Sequence, residues 1–410
     1  MNIALFEDSQ YENLLPLTWL RTACELRCGC DRLIDKVRAH APGRLCRLFV
    51  RETLQDVIGE RFDLETPGHD EDWCLLNARL LAAGDLALPP TGVAWRRGGV
   101  LLAVTIAPRE FDQLHAEMFL DEKRLNEWVE SFHLEQTPPG LKLIEYPWDL
   151  IDLNEDELRR QCNAGGVNYG RVYDGAHLLN PDQIHVGAGV KIKPGAVLDA
   201  ENGPIHIDSD VLVQSHAVIE GPCHIGRGSI VRPGASIHAG TSIGPVCKVG
   251  GEIEAAVFQG YANKQHDGFL GHSFVGEWVN IGASTVTSDL KNTYGAIRVD
   301  VNGVPVETGL HFVGSTIGDH AKTGIGTILP TGGVVGVAAN VFTHSTAPKF
   351  VPSFAWLTND GLTAYRVDKA VNIARIVMAR REYCLSNAEE GLLEQSAELA
   401  RKVEAAGWRE

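Results

Sequence analysis

The sequence predicts three parts: an α/β layered domain over residues 1–155, a parallel β-solenoid over 181–350 and a helical cap over 351–410, with 156–180 as a linker. Three observations predict this. From Val186 to Val249 an aliphatic residue returns every six positions with a small residue four places later. Residues 1–155 lack that period and alternate strand-like with helix-like runs. The stretch FTHSTAPKFVPSFAW, Phe342 to Trp356, then ends the repeat with prolines before two helix candidates.

In the first part the apolar runs NIALF, RLFV, WCLLNARLL and GVLLAVTIA read as strands, and Asp112 to Phe132 reads as helical. Arg21, Arg27, Arg32 and Lys36 follow in close succession and are expected to form an anion-binding edge, with the Asn77–Arg79 turn at the end of the third apolar run. Cys24, Cys28 and Cys30 cluster without an obvious fourth metal ligand.

In the second part a period of six fits neither a helix at 3.6 nor an isolated hairpin. It fits a coil of three short faces whose aliphatic residues stack inward on the next coil while small residues turn the corners. The phase breaks twice. Between Ala255 and Val275 the segment AVFQGYANKQHDGFLGHSF is expected to loop out, carrying His266 between Lys264 and Asp267. The second break, Ser288 to Phe312, is longer, and the phase returns at Ile317. A histidine there suits acyl transfer, because an imidazole largely neutral at pH 7 can take the proton of an attacking amine or hydroxyl. A zinc site on His272, His311 and His320 is the alternative use of these residues.

In the third part Asp360 is placed to cap a helix through Leu362, Val367, Val371 and Val377. Ser386 and Glu389 form a capping-box pair for a second helix ending at Gly407. Both are expected to cover the open end of the solenoid or a subunit seam.

Acidic residues number 53 and basic residues 37, a net charge of −16, which excludes a sequence-independent nucleic-acid binder or an anionic-membrane binder but leaves room for small anionic substrates. The longest uncharged apolar stretch, Gly98 to Pro108, is too short to span a bilayer, and the N-terminus has no basic leader pattern. Nine scattered cysteines argue for reduced thiols. The expectation is a cytoplasmic protein.

The hexads resemble those of the hexapeptide-repeat acyltransferases, which implies a left-handed parallel β-helix and a homotrimer. The run Val249 to Thr287, with H266DGFLGHSFVGEWVN280IGAST, resembles the acetyltransferase half of the bifunctional N-acetylglucosamine-1-phosphate uridyltransferase and glucosamine-1-phosphate N-acetyltransferase. That resemblance implies acetyl-CoA as co-substrate, His266 as base, Asn280 as an acceptor-sugar contact and Arg232, in the RPGA turn, as a phosphate ligand. Glu254 stands where the family places a lysine, a role left to Lys264 or Lys291.

The segments FEDSQYENLLPLTxxRxxxELRxG, LLNARLL and YPWDLIDLN, with the two downstream segments, resemble a divergent group of two-domain bacterial sugar nucleotidyltransferases over nearly the whole chain. The resemblance implies a nucleotidyltransferase-like α/β domain using UTP or another NTP with Mg2+, contacted by Arg21, Arg27, Lys36, Asn77 and Arg79. The loop position, Glu7 to Asn13, departs from the pattern: it has three carboxylates and no glycine, and Ala23 replaces the expected lysine. The implied function is a transferase of sugar nucleotide biosynthesis making a UDP-N-acetylglucosamine-type product. The alternatives are a single-activity nucleotidyltransferase on a trimerising β-helix and a non-catalytic nucleotide-sugar binder.

Overall fold

The structure, a computed structural model, describes residues 1–84, 86–138, 141–162 and 165–408. The N-terminal domain is built on a six-stranded mixed sheet. Its central strand, Asn2–Phe6, runs parallel to Arg44–Phe49 on one side and to Trp73–Asn77 on the other. Val100–Ile106 and Val93–Arg97 extend the sheet as an antiparallel pair, with His133–Gln136 at the edge. All of Asn2–Phe6 is buried, as expected of an unbroken apolar run covered on both faces. Ile3 and Leu5 share a core with Ile34, Val57 and the C-terminal helices, whereas Ala4 and Phe6 pack against Phe119, Leu125 and Val129.

The second domain is a three-sided parallel β-helix. Ten short strands stack along its first face, from Val167–Asn168 to Phe350–Val351, so the helix has ten coils. Each aliphatic residue of the hexad stacks on its counterpart: Ile192 on Val213, Val213 on Val231, Ile219 on Ile237. The interior is a continuous column of Val, Ile, Leu and Ala.

Four boundaries differ from the sequence expectation. The span 156–180 is not a linker: it holds the end of the helix Asn154–Gln161 and most of the first coil, whose strands Val167–Asn168, Arg171–Val172 and His177–Leu179 pair with the second coil. That coil escaped the pattern because Asn168 takes its first inward position. The segment 255–275 is not looped out either. It makes a regular sixth coil through Val257–Phe258, Asn263–Lys264 and Phe269–Gly271. The phase slipped because Val249 and Ile253 are only four positions apart, and Lys264 occupies the site that Val249 fills one coil earlier. The second break is a real excursion. Its hairpin, Arg298–Val301 with Val304–Glu307, packs Ile297, Val299 and Val301 against Trp148 and Phe350. Asn302 at the tip donates to the Glu12 carbonyl of the N-terminal domain.

At the far end the solenoid continues past 350 into a tenth coil and the hairpin Ala355–Thr358 with Gly361–Ala364, whose turn contains Asp360. The first C-terminal helix therefore begins at Val367, after Arg366, and the second spans Asn387–Val403 behind the Ser386–Glu389 capping box. The two helices lie along the side of the solenoid, and Trp408, beyond the second of them, packs against its interior column. Ala370, Val371, Met378, Leu392 and Leu393 pack into the core shared with the N-terminal domain and the side of the β-helix. Glu404 locks this arrangement by accepting from Trp19 Nε1 at 2.8 Å and from Ser353 N at 2.7 Å. No helix among the described residues is long and apolar enough to cross a membrane.

One corner of the β-helix faces that shared core. Tyr261, Trp278, His320, Ala338 and Phe354 occupy it with φ of 54, 60, 59, 54 and 55°, a left-handed conformation that costs residues other than glycine of the order of 1 kcal/mol each. Burial of these side chains against the N-terminal domain and the helices offsets the strain.

Candidate active site

His266 sits at the corner between the second and third faces of the sixth coil. Asn263 pairs with Lys248 in the coil before it and with Asn280 in the coil after, which sets His266 in line with Gly251 and Ala283. Two small neighbours leave the imidazole exposed, and it makes no hydrogen bond among the described residues. Arg232 stands at the same corner two coils earlier, about 10 Å along the axis at the spacing of paired strands. In the other direction the same edge carries Ile325, 75% exposed, and Phe342, 40% exposed. Asn280 is on the adjacent coil but on the second face, before the corner, and Arg232 stacks with Gly250 and Gln265, one position before His266, so the structure brings His266 and Arg232 to the same corner in adjacent columns with Asn280 beside them.

The two lysines offered for phosphate binding are committed elsewhere. Lys264 points into the β-helix, 2% exposed, where its Nζ donates to the Gly250 carbonyl at 2.8 Å and the His266 carbonyl at 3.1 Å. It therefore pins the backbone beneath the exposed histidine. Lys291 lies in the excursion and donates to the Ala296 carbonyl. Burial pushes the Lys264 ammonium down to about 8, partly countered by Asp267 and Glu252. Between pH 8 and 10.5 the unfolded chain then holds the proton that the folded chain has lost, so stability rises with pH across that window, by about 3 kcal/mol. The measurement is urea unfolding of the wild type and Lys264→Met from pH 7.5 to 10.5. The difference in unfolding free energy between them should rise with pH, and a flat difference would show Lys264 to be solvated.

A second histidine is better organised within one chain. His272 Nδ1 lies 2.8 Å from Asp289 Oδ2, its ring stacks on Phe312 with centroids 5.1 Å apart, and it lines a cavity of about 410 Å³ bounded by Trp148, Ile151 and Leu310. An acid at Nδ1 holds the proton there and leaves Nε2 as the basic nitrogen. His272 is at the opposite end of the Phe269–Gly271 strand from His266, so one substrate atom cannot meet both. The sequence offered a signal, because Asp289 opens the excursion that follows the next coil, but only folding sets it beside His272. Of the other zinc candidates, His311 Nδ1 meets the Tyr294 carbonyl, and His320 is buried near Trp278, its pKa lowered to about 3 by desolvation and by Lys322 and Arg21. His272 and His311 line the same cavity, whereas His320 lies apart from them in the core beside Trp278.

The N-terminal candidates are all engaged inside the protein. Arg79 grips Asp8 through Nε at 3.0 Å and Nη2 at 2.6 Å, and Asn77 donates to the same carboxylate at 2.8 Å. Lys36 pairs with Glu157 at 2.7 Å. Arg21 crosses to the β-helix, bonding Asp319 and Glu277 at 2.9 Å each. Burial opposes its charge, but those two acids raise its pKa on balance. Arg27 donates from its backbone to Gln259 and from its side chain to the Cys30 carbonyl, and Arg32 pairs with Asp35. The anion-binding edge is thus a set of internal pairs, because each cation met a carboxylate or carbonyl as the elements packed. Two of the loop's three acids are likewise spent, since both Glu7 oxygens accept from Arg51 and both Asp8 oxygens are taken, while Glu12 is exposed. Buried Glu7 and Asp8 therefore offer no free oxygen for Mg2+, and among the described residues no three His, Cys, Asp or Glu gather as a metal site.

The geometry defines a class of architecture: an α/β domain on a six-stranded mixed sheet, seated on a three-sided parallel β-helix. Residues 3–165 match the family model described as sugar nucleotidyl transferase. Curated relatives match part of the chain. The bifunctional protein GlmU of Jannaschia sp. is 35% identical over 28% of this chain and 26% of its own length, and that of Acidithiobacillus ferrooxidans 32% identical over 38% and 35%. The bifunctional sugar-1-phosphate nucleotidylyltransferase/acetyltransferase of Sulfurisphaera tokodaii is 27% identical over 54% of this chain and 52% of its own. The chain thus spans about a quarter to a half of the length of these relatives. Among solved structures, the UDP-N-acetylglucosamine acyltransferase of Campylobacter jejuni aligns over 56% of this chain and 92% of its own, at 15% identity and a TM-score of 0.20.

Proposed function

We propose that this chain is a transferase of sugar nucleotide biosynthesis whose β-helix moves an acetyl group from acetyl-CoA to the amine of an amino-sugar 1-phosphate. The observation that carries the reading is the corner itself: an exposed His266 between small neighbours, with Arg232 on the same edge. His266 takes a proton from the amine as its nitrogen attacks the thioester carbonyl. The carbon–sulfur bond then breaks, and the imidazolium returns the proton to the departing thiolate. Arg232 holds the sugar phosphate through its planar guanidinium and Asn280 a sugar hydroxyl. Exposed Ile325 and Phe342 on this edge support a homotrimer in which the edge meets a neighbouring subunit.

A second reading keeps the reaction and moves the base to His272, favoured by its 2.8 Å contact with Asp289 at a cavity. Joining the product to UTP is what the N-terminal family suggests. The buried acids of this chain's loop do not fit Mg2+, so no nucleotidyl step is derived, and the domain is read as a brace for the β-helix, tied to it by Arg21. The test is thiol release from acetyl-CoA with and without glucosamine 1-phosphate, with light scattering on the same sample. Acceptor-dependent turnover by a trimer is expected. A folded protein that releases no thiol with this or any other amino-sugar phosphate would remove the acetyltransferase reading, and pyrophosphate release from UTP would restore the nucleotidyltransferase alternative.

A further inference from the structure

A further cavity lies away from both histidine sites. Its volume is about 500 Å³ and it lies where the N-terminal domain, the β-helix corner and the C-terminal helices meet, within the size range of small-molecule sites. Its aromatic wall is Tyr261 and Trp278, stacked with centroids 4.4 Å apart, and Tyr383, 5.6 Å from Trp278. Its charged lining is unbalanced: Glu25, Glu60, Glu277, Asp319 and Glu389 against Arg21, Arg32 and Arg61. The arginines are already used, Arg21 by Asp319 and Glu277, Arg61 by Glu25 and Glu389, and Arg32 by Asp35. A phosphate would find no unpaired guanidinium and five carboxylates.

Two lining groups are buried with one polar atom each left unpartnered. Asp319 is 1% exposed; its Oδ1 accepts from Arg21 and from the Glu277 N–H, while its Oδ2 has no hydrogen bond among the described residues. His320, 6% exposed, leaves Nδ1 unpartnered in the same way. An unpaired buried polar atom costs about 1–3 kcal/mol, and two on adjacent residues lining one cavity point to a ligand that supplies the missing bonds. Surplus carboxylate next to aromatic faces is the environment that favours an organic cation.

We infer that this interdomain cavity is a second binding site, for a small organic ammonium compound bearing hydroxyl groups, whose amine donates to Asp319 and whose body rests on Trp278 and Tyr383. The site spans three parts of the molecule, so its ligand stabilises their docking as well as binding. It is independent of the acetyl-transfer site and does not require that reaction.

The test uses the full chain with D-glucosamine as probe, read by calorimetric titration and by the melting temperature, with glucose and inorganic phosphate as comparisons. Glucosamine should bind one per chain and raise the melting temperature, with glucose at least tenfold weaker and phosphate not competing for the site. Asp319→Asn should weaken glucosamine at least tenfold. Tyr383→Ala, on a side chain 37% exposed, is the variant that keeps the fold and should weaken it several-fold. His266→Ala should retain this binding, which separates the site from the acetyl acceptor's. Absence of glucosamine binding, equal binding by folded Asp319→Asn and Tyr383→Ala variants, or loss of it in His266→Ala would overturn the assignment, as would phosphate binding tighter than the amine.

Discussion

His266→Ala is expected to lower acceptor-dependent thiol release by a factor of about 10² to 10⁴, the range that a positioned general base contributes, with KM for acetyl-CoA nearly unchanged. The side chain is exposed and its imidazole bonds nothing among the described residues, so its removal should leave the melting temperature within a degree or two. The loss is therefore a loss of chemistry and not of fold. His272→Ala makes the opposing case. It breaks the contact with Asp289 and the stack on Phe312, and is expected to reduce stability while leaving kcat within a few-fold of wild type. A reversed pair of results, with kcat lost in His272→Ala and kept in His266→Ala, would place the base in the cavity beside Trp148 and turn the His266 corner into a subunit contact. The pH profile adds a readout that a structural role would not move: the acidic limb of kcat/KM should vanish in whichever variant has lost the base.

The second large effect is on stability. Asp8→Ala removes the carboxylate that receives Nε and Nη2 of Arg79 and Nδ2 of Asn77, and Arg79 is 1% exposed. A guanidinium left buried without its counter-ion should cost about 3–5 kcal/mol, seen as a lower urea midpoint at an unchanged slope. Replacing both partners, Asp8→Ala with Arg79→Met, should cost much less than Asp8→Ala alone, because the uncompensated charge is gone. The outcome bears on function. A cost below 1 kcal/mol for Asp8→Ala would mean that the pair opens to water, leaving Arg79 free to meet a nucleotide phosphate and reviving nucleotidyl transfer at this loop.

Much of the architecture is legible in the sequence because it rests on local repetition. In the β-helix each coil contacts only its neighbours, so a six-residue rhythm of Val, Ile and Leu suffices to announce the solenoid. The N-terminal strand Asn2–Phe6 and the Ser386–Glu389 capping box are readable for the same reason, since burial pattern and cap are settled within a few residues. His266 was visible through the resemblance of the segment leading to the NIGA turn, which also holds His272, and Arg232 as the arginine of the RPGA turn.

What tertiary structure alone decided is the fate of the charges. Arg21 finds Asp319 across 298 positions, Lys36 finds Glu157 across 121 and Arg79 finds Asp8 across 71. In the sequence these cations look like an anion-binding edge, and no local pattern reveals partners so far apart. Lys264 is the sharpest case. A lysine at an inward hexad position reads as a break in the repeat, whereas in the folded chain its stem fills an aliphatic slot and its ammonium satisfies two carbonyls. The sequence determined the stacking of coils because each coil packs on the next, about 18 residues along, and the six-residue rhythm repeats on all three faces. Which polar groups are spent on the fold and which remain for chemistry depended on distant elements meeting, since the cost of burying a charge is settled only by what lies against it.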